Sequence, residues 1–245
     1  MKQENIKKAL QAAKAGSKKR KFEQSIDIVI TLKNYDVKKG ANQFDSYVSL
    51  PYPRGKKASV CAFVGAELSD QAKTACDQSI SEDEFASYND PKKLRALARK
   101  HDFFIAQANL MPKVATTFGK FLGSRGKMPN PKAGCVVPPN ANLTQVVERL
   151  QKLVRVLVKT TPVIYMRVGM ENQNEEEVVA NILTIYQNVL THLPNELQSI
   201  KDVIVKTTMG KPVSALKIDI PTDTADKKKK SVKKIPAKKA KPEGN

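Results

Sequence analysis

Apolar residues recur at two different spacings along the first part of the chain. In residues 3–14, Ile6, Leu10 and Ala13 fall on one helical face and the rest is basic or polar, which predicts an amphipathic helix. In 25-SIDIVITLK-33 four aliphatic side chains alternate with Ser, Asp, Val and Thr, which predicts a half-buried strand. The chain therefore begins with a helix followed by a strand.

The next segments predict a second strand and a break. Residues 43–50 are expected to form a strand that pairs with the first one across a turn region of lysine, glycine and asparagine. The cluster 51-PYPRGKK-57 combines two prolines, a glycine and three basic residues, so it is a candidate hinge.

After this hinge the pattern changes to short, continuously apolar runs that alternate with helical segments. Such alternation predicts a parallel βαβ sheet covered on both faces, which residues 57–151 would form as one unit. The expected elements are a strand in 58–65, helices over 68–76 and 91–100, a strand in 102–107 and a helix over 112–121 that opens with Pro112.

The last third again mixes helices with strands. We predict a helix over 144–154, a strand over 162–168, a helix capped by Asn174 that stops at Pro194, and strands over 202–207 and 213–218 joined by residues 208–212. From Pro221 onward lysine dominates, which predicts a tail that is disordered on its own.

The two ends of the chain resemble each other more than they resemble the middle. Either they form two independent domains or they build one domain together, with the middle inserted. Each end alone has too few apolar residues for a core, so we favour insertion. The predicted fold class is α/β, with a discontinuous domain (1–56 and 156–221), an inserted Rossmann-like domain (57–155) and a lysine-rich tail (222–245).

Charge points to a polyanionic partner. The 245 residues carry a net charge of +19, and much of it lies in residues 1–21 and 222–245. A mildly basic body with two strongly basic ends favours polyanion binding, although a solubilising charge load is the alternative.

The chain has no run of about 18 apolar residues, and its first residues are too polar for a signal peptide. We therefore expect a cytosolic protein without a membrane span.

The reactive side chains give no sign of catalysis or metal binding. Cys61, Cys76 and Cys135 are far apart and are expected to be free, buried thiols, and His101 and His192 are isolated. We predict no metal, no cofactor and no enzymatic activity.

The competing class of function, an RNA-acting enzyme on a Rossmann-like core, would need paired acids or a glycine-rich turn with a downstream acid. A general nucleic-acid-binding protein is a further alternative, but no recognition helix with its turn is evident.

One loop, 119-GKFLGSRGKMPNPKAG-134, invites a nucleotide-binding interpretation. A phosphate-binding P-loop requires a hydroxyl residue after Gly-Lys and a glycine five positions before, whereas Met128 and Phe121 stand there. The loop is therefore expected to be a compact turn whose charges face some anion, to touch RNA or the other domain, or to be a rigid structural turn.

Three stretches together resemble the large-subunit ribosomal protein L-one family, in its archaeal and eukaryotic form. They are KRKFEQSIDIVITLKNYD (19–36), LGSRGKMPNPKAG (122–134) and VKTTMGKPV (205–213), and the similarity runs over about residues 1–220. Ser124 stands where the family usually has proline, which is expected to loosen that turn.

The resemblance implies a non-enzymatic ribosomal protein that acts without a cofactor. Its expected partners are large-subunit ribosomal RNA, exit-site tRNA and, through repression of translation, its own mRNA. We expect a monomer within the cytoplasmic ribosome, in the mobile stalk that helps deacylated tRNA to leave the exit site.

The resemblance also implies where RNA binds. The expected RNA-binding residues are Lys21, Phe22, Ser25, Asp27, Lys206, Thr207, Thr208, Met209, Gly210 and Lys211. Arg167 is a weaker candidate, named because it lies on the outer alternation of its strand. The candidate residues of the inserted-domain loop are Gly123, Arg125, Gly126, Lys127, Pro129, Asn130 and Lys132. A core position is the alternative for Phe22, and an ordinary β-turn is the alternative for residues 208–210. Because valine suits a strand end as well as threonine does, Thr208→Val is expected to leave the fold unharmed.

Overall fold

A computed structural model of the protein describes residues 3–33, 35, 37, 43–193 and 196–216. The helices are α1 (Gln3–Ala15), α2 (Ser69–Ala75), α3 (Pro91–Lys100), α4 (Met111–Gly123), α5 (Leu143–Gln151) and α6 (Glu175–His192). The strands are β1 (Ser25–Leu32), β2 (Phe44–Ser49), β3 (Val60–Val64), β4 (Gln78–Ser81), β5 (Phe103–Gln107), β6 (Val136–Val137), β7 (Leu153–Val158), β8 (Val163–Met170), β9 (Ile200–Thr207) and β10 (Val213–Ser214).

The first sheet is antiparallel and joins the two ends of the chain. Its order is β10-β9-β1-β8, so β1 lies between two strands that come more than 130 positions later in the sequence. Ile28 of β1 stands opposite Met166 on one side and Val205 on the other. One α/β domain is therefore built from both termini, as the predicted fold class requires.

Two helices cover one face of this sheet. Ile6 and Leu10 of α1 are fully buried, and α6 buries the apolar side that its spacing predicts, from Val178 to Val189. The three buried isoleucines of β1 point into the same core. The opposite face carries polar and exposed side chains, including Tyr165 and Arg167 of β8.

The inserted part forms the predicted parallel sheet, with the order β4-β3-β5-β6. All five residues of β3 are buried because helices cover both faces: α2 and α5 pack on one, α3 and α4 on the other. On the second face the rings of Phe63 and Phe118 lie 4.6 Å apart. This arrangement confirms the βαβ interpretation of residues 57–151.

Two predictions about the connecting segments are wrong. β2 pairs along its whole length with β7 and not with β1, because β8 and β9 already occupy both edges of β1. The helix predicted over 144–154 ends at Gln151, and Leu153 begins β7. The predicted domain boundary at 155/156 falls inside this strand. The turn proposed between the first two strands lies mostly outside the described residues.

Some details of the last third also differ from expectation. Asn174 is the residue before α6, but its side chain makes no capping hydrogen bond to the backbone and instead lies 3.5 Å from the Glu177 carboxylate. β10 is only two residues long within the described chain, and Pro194, residues 217–218 and the lysine-rich tail lie outside the described residues.

Candidate RNA interface

Three loops meet at one end of the antiparallel sheet. Since β1 runs opposite to β8 and β9, its first residues lie beside their last ones: Ser25 pairs with Met170 and Ile26 with Thr207. The loop 17–24 before β1 therefore meets the loop after β8 and the turn 208–212 after β9. In sequence the loop 17–24 lies more than 140 positions before the other two segments, and the sheet brings all three together.

Gln24 ties the three loops to one another. Its side chain is fully buried, and its amide nitrogen donates to the Ser17 hydroxyl at 2.8 Å and to the Lys18 carbonyl at 3.3 Å. The same amide nitrogen lies 3.4 Å from a carboxylate oxygen of Glu171, and the amide oxygen accepts from the Met209 backbone N–H at 3.3 Å. Sequence reasoning missed this residue because a glutamine before a strand is usually exposed.

Thr208 is bonded to the protein. Its hydroxyl oxygen accepts from the Ser25 backbone N–H at 2.9 Å and lies 3.0 Å from the Ser25 hydroxyl, which in turn donates to the Asp27 carboxylate at 3.2 Å. The network Thr208–Ser25–Asp27 fixes the turn on the sheet. Thr208→Val would remove an acceptor from Ser25, so these contacts argue against the expectation that the change leaves the fold unharmed.

The turn also needs Thr207 and Gly210 for its own shape. Thr207 is fully buried and donates its hydroxyl to Ser17 at 3.2 Å, so it supports the turn from inside. The Gly210 N–H donates to the Thr207 carbonyl at 3.1 Å. A Cβ at Gly210 would overlap the Thr207 hydroxyl. Glycine at this position is thus required by the turn whether or not a ligand approaches.

The side chains that face solvent at this end are apolar and basic. Phe22 is 53% exposed and Met209 61% exposed, so the alternative of a core position for Phe22 is wrong. All four basic residues of 18-KKRK-21 are exposed, as is Lys211, while Lys206 is half-buried. We call this set the sheet-end surface: Lys18, Lys19, Arg20, Lys21, Phe22, Lys206, Met209 and Lys211.

Asp27 and Arg167 lie farther along the sheet. Asp27 stands opposite Arg167 on β8 and opposite Lys206 on β9, so its carboxylate lies between two cations on the outer face. Asp27 and Arg167 also line a cleft between this sheet and the inserted domain. The structure therefore divides the predicted RNA-binding residues between a sheet end and a cleft wall.

Most polar groups of the loop 123–134 are engaged within the protein. The Lys127 ammonium donates to the carbonyls of Ala98 and His101 at 3.1 and 2.6 Å, at the end of α3, where a cation is favoured. Asn130 accepts from the Lys132 backbone N–H at 2.9 Å, and Pro129 is buried. Ser124 donates its hydroxyl to the Phe121 carbonyl at 3.1 Å, so its side chain helps to close the end of α4.

Arg155 holds this loop against the other domain. Its guanidinium donates to both carboxylate oxygens of Asp45 at 2.7 and 2.5 Å, and to the Gly126 carbonyl at 2.8 Å. The bond to Asp45 raises the pKa of Arg155. Gly126 has a φ of 64°, which suits glycine. These contacts support a rigid structural turn, while the side chains of Arg125 and Lys132 remain exposed.

Gln107 occupies part of the crevice in which a Rossmann-like sheet binds nucleotides. That crevice lies where the strand order reverses, between the carboxyl ends of β3 and β5. There the buried Gln107 accepts from the Gly65 N–H at 2.9 Å, and its amide lies where a Cβ at Gly65 would point. An enzyme on this core would need that space.

The remaining candidate groups are structural. Cys61 and Cys135 are buried and Cys76 is half-buried; burial raises the thiol pKa to about 12 for Cys61 and about 11 for Cys76. Within the described residues no three His, Cys, Asp or Glu side chains are grouped so that they could hold a metal ion. None of the described helices has the length and apolar character needed to cross a membrane.

Comparison with known proteins agrees with this geometry. The ribosomal protein L1p/L10e family matches residues 8–211. Large ribosomal subunit protein uL1 of Pyrococcus abyssi is 39% identical over 212 residues, which cover 86% of this chain and 94% of the relative. The same protein of Methanothermococcus thermolithotrophicus is 39% identical, covering 86% and 98%, and that of Methanothermobacter thermautotrophicus 37%, covering 87% and 100%. The predicted resemblance is confirmed: the chain belongs to the ribosomal protein L1p/L10e family.

Proposed function

We propose that the protein is a component of the large subunit of the cytoplasmic ribosome and that its sheet-end surface binds ribosomal RNA. The relatives are named large-subunit proteins, and the match with this chain extends over nearly the whole length of each relative, which supports the assignment. As a non-enzymatic stalk protein, present as one copy, it would assist the release of deacylated tRNA. It would also repress its own mRNA if that message carries a similar RNA shape.

The observation that carries RNA binding is the exposure of Phe22 and Met209 among basic residues on a rigid support. Two large exposed apolar side chains at one sheet end, rimmed by charged residues, are typical of an interaction surface. Lysine and arginine around them would contact phosphates, and an aromatic ring can stack on a base. Gln24 and the Thr208 hydroxyl hold the turn that carries Met209, and Gln24 also bonds Ser17 and Lys18 in the loop that carries Phe22, so little backbone order would be lost on binding.

In this proposal the predicted RNA-binding residues have different roles. Lys21, Phe22, Lys206, Met209 and Lys211 touch RNA. The turn beneath them is shaped by Ser25, Thr207, Thr208 and Gly210, and Asp27 orients the hydroxyl of Ser25.

We also propose that the discontinuous domain comprises residues 1–56 and 156–221. The inserted domain lies between these two segments, and β7 crosses the second boundary.

The test is Phe22→Ala in the full chain, with a hairpin of the stalk ribosomal RNA as ligand. Loss of one stacked base costs about 1–3 kcal/mol, so the dissociation constant should rise about 5- to 150-fold. Because no charge is removed, the salt dependence should keep its slope, whereas Lys21→Gln should flatten it by about one unit.

Tyr52→Ala is the matched control, since Tyr52 is a partly exposed aromatic outside the sheet-end surface. It should bind the hairpin as the unaltered protein does. If Phe22→Ala and Met209→Ala both bind normally while folded, the RNA-binding surface lies elsewhere. If the hairpin binds no better than an unrelated hairpin, the protein is a general nucleic-acid binder.

A further inference from the structure

A cleft of about 530 Å³ lies between the antiparallel sheet and the inserted domain. One wall is the outer face of the sheet, with Tyr165 and Arg167 of β8. The other side is formed by the connecting segment that holds Arg54 and Lys56 and by the start of β5 at Phe103. This cleft is separate from the turn 208–212 and from the exposed segment 18–22, none of which lines it.

The cleft has an excess of positive charge. Six cationic side chains and two carboxylates line it. Arg155 is paired with Asp45, and Lys127 is bonded to two carbonyls. The other four cations form no ion pair within 4 Å among the described residues. These four are Arg54, Lys56, Lys57 and Arg167.

Arg54 has a donor that the protein leaves unpaired. Its Nε is buried and has no hydrogen-bond partner among the described residues, although such a donor normally has one. Burial lowers the pKa of Arg54, the charge of Asp102 raises it and the charge of Arg167 lowers it, so two guanidinium groups face the same space. An anion between the two guanidinium groups would relieve their repulsion.

Aromatic rings stand among these cations. Tyr165 is 71% exposed and lies two residues before Arg167, so both point to the same side of the strand about 7 Å apart. The Arg54 guanidinium lies 5.9 Å from the centre of the Phe103 ring. An exposed ring beside unpaired cations suits a ligand that has both a flat face and a phosphate.

We propose that this cleft binds a short single-stranded segment of RNA, with a base stacked on Tyr165 and its phosphates held by Arg54 and Arg167. The charge excess selects a polyanion, and the exposed ring favours a nucleotide over an acidic peptide. The volume of the cleft is that of a small-ligand site, so the cleft has room for one or two nucleotides but not for a duplex. This site goes beyond the sheet-end interface and does not depend on it.

The experiment uses the full chain and a fluorescein-labelled RNA of ten unstructured nucleotides carrying 4-thiouridine. Tyr165→Leu removes the ring without changing charge, and Tyr52→Leu is its matched control. Anisotropy at about 0.15 M salt should show binding about 5- to 100-fold weaker for Tyr165→Leu and unchanged for Tyr52→Leu. Photo-crosslinking followed by peptide mass spectrometry should place the RNA at Tyr165 or Phe103.

A second pair of variants covers the case in which Tyr165→Leu does not fold. Arg167→Gln should weaken binding and flatten the salt dependence more than Arg99→Gln, whose side chain is exposed on α3. The proposal is overturned if both cleft variants bind as their controls do, or if all crosslinks fall outside the cleft. It is also overturned if poly-glutamate competes as well as RNA, which would make the occupant an acidic peptide, or if single-stranded DNA binds equally.

Phe22→Ala measured with the structured hairpin keeps the two proposals apart. Normal hairpin binding by both Phe22→Ala and Met209→Ala, combined with loss of oligonucleotide binding by Tyr165→Leu, would reject the sheet-end surface and keep the cleft. The reverse result would keep the sheet-end surface and reject the cleft.

Discussion

Replacing Thr208 by valine tests how the sheet-end surface is built. The change keeps the shape of the side chain and removes the oxygen that accepts from the Ser25 N–H at 2.9 Å. Ser25 is buried while Thr208 is exposed, so water can replace that acceptor only in part. An unsatisfied buried donor costs about 1–3 kcal/mol, and in a protein of this size each kcal/mol lowers the melting temperature by about 2–4 °C. We therefore expect Thr208→Val to melt about 2–12 °C lower.

The assay pairs thermal denaturation with filter binding of the stalk hairpin at two salt concentrations. Thr208→Ser is the matched control because it keeps the hydroxyl and loses only a methyl group. It should melt close to the unaltered protein and bind RNA normally. Thr208→Val should bind more weakly because the turn that carries Met209 is no longer fixed, with the same salt slope since no charge is lost.

Two outcomes would refute this reasoning. If Thr208→Val melts normally and yet loses RNA affinity, the hydroxyl bonds RNA directly and the internal network adds little. If Thr208→Val changes neither property, the turn is held by its backbone bonds alone, such as the one from the Thr208 N–H to the Ser25 carbonyl at 3.0 Å.

Two further predictions concern the inserted domain. A lysine at position 155 cannot reproduce the forked contacts of Arg155 to Asp45 and to the Gly126 carbonyl. In Arg155→Lys, trypsin should therefore cut the loop after Arg125 at least several times faster than in the control Arg99→Lys. Equal cleavage rates would show that Arg155 does not hold the loop. Burial lowers the pKa of His101, so near its titration range the unfolded state binds more protons than the folded state. The free energy of unfolding should therefore fall as the pH drops below about 6.5. Urea denaturation between about pH 5 and 7.5 should show this loss, and an equal loss in His101→Gln would exclude His101 as its source.

The helices and buried strands of the inserted domain were predictable because local rules agree there. α3 begins and ends as predicted: Pro91 stands at its first position, and the Asp90 side chain accepts from the Lys92 N–H at 2.9 Å. β3 is apolar throughout because helices cover both faces of its sheet. Where propensity, capping and burial point the same way, a single sequence determines the element.

The pairing of β2 with β7 was not predictable by the same rules. The default expectation pairs a strand with its neighbour in sequence, whereas both edges of β1 are taken by strands from the other end of the chain. The apolar residues of 144–154 fit a helical period, and Val154, Val156 and Val158 also fit a strand alternation. Only long-range pairing decides between the two periods.

The candidate site was predictable in its residues and not in their roles. Motif resemblance pointed to Phe22 and Met209, and both are exposed. It grouped Thr207 and Thr208 with them, although the structure uses these hydroxyls inside the turn. Exposure and hydrogen-bond partners depend on segments far apart in the sequence, so no local pattern carries that information.

The charged loop shows why formal charge alone does not locate a ligand. Lys127 is satisfied by carbonyls and Gly126 accepts from Arg155, so this part of the loop faces the protein. Gln151, at the end of α5, bonds both backbone groups of Ala58 and thus joins the two segments that connect the domains. The hydrogen bond from Arg155 to the Gly126 carbonyl joins two residues that both line the cleft. If RNA binds between the unpaired cations as proposed, its phosphates offset the repulsion between Arg54 and Arg167, so those two side chains, and not the satisfied cations of the loop, locate the ligand.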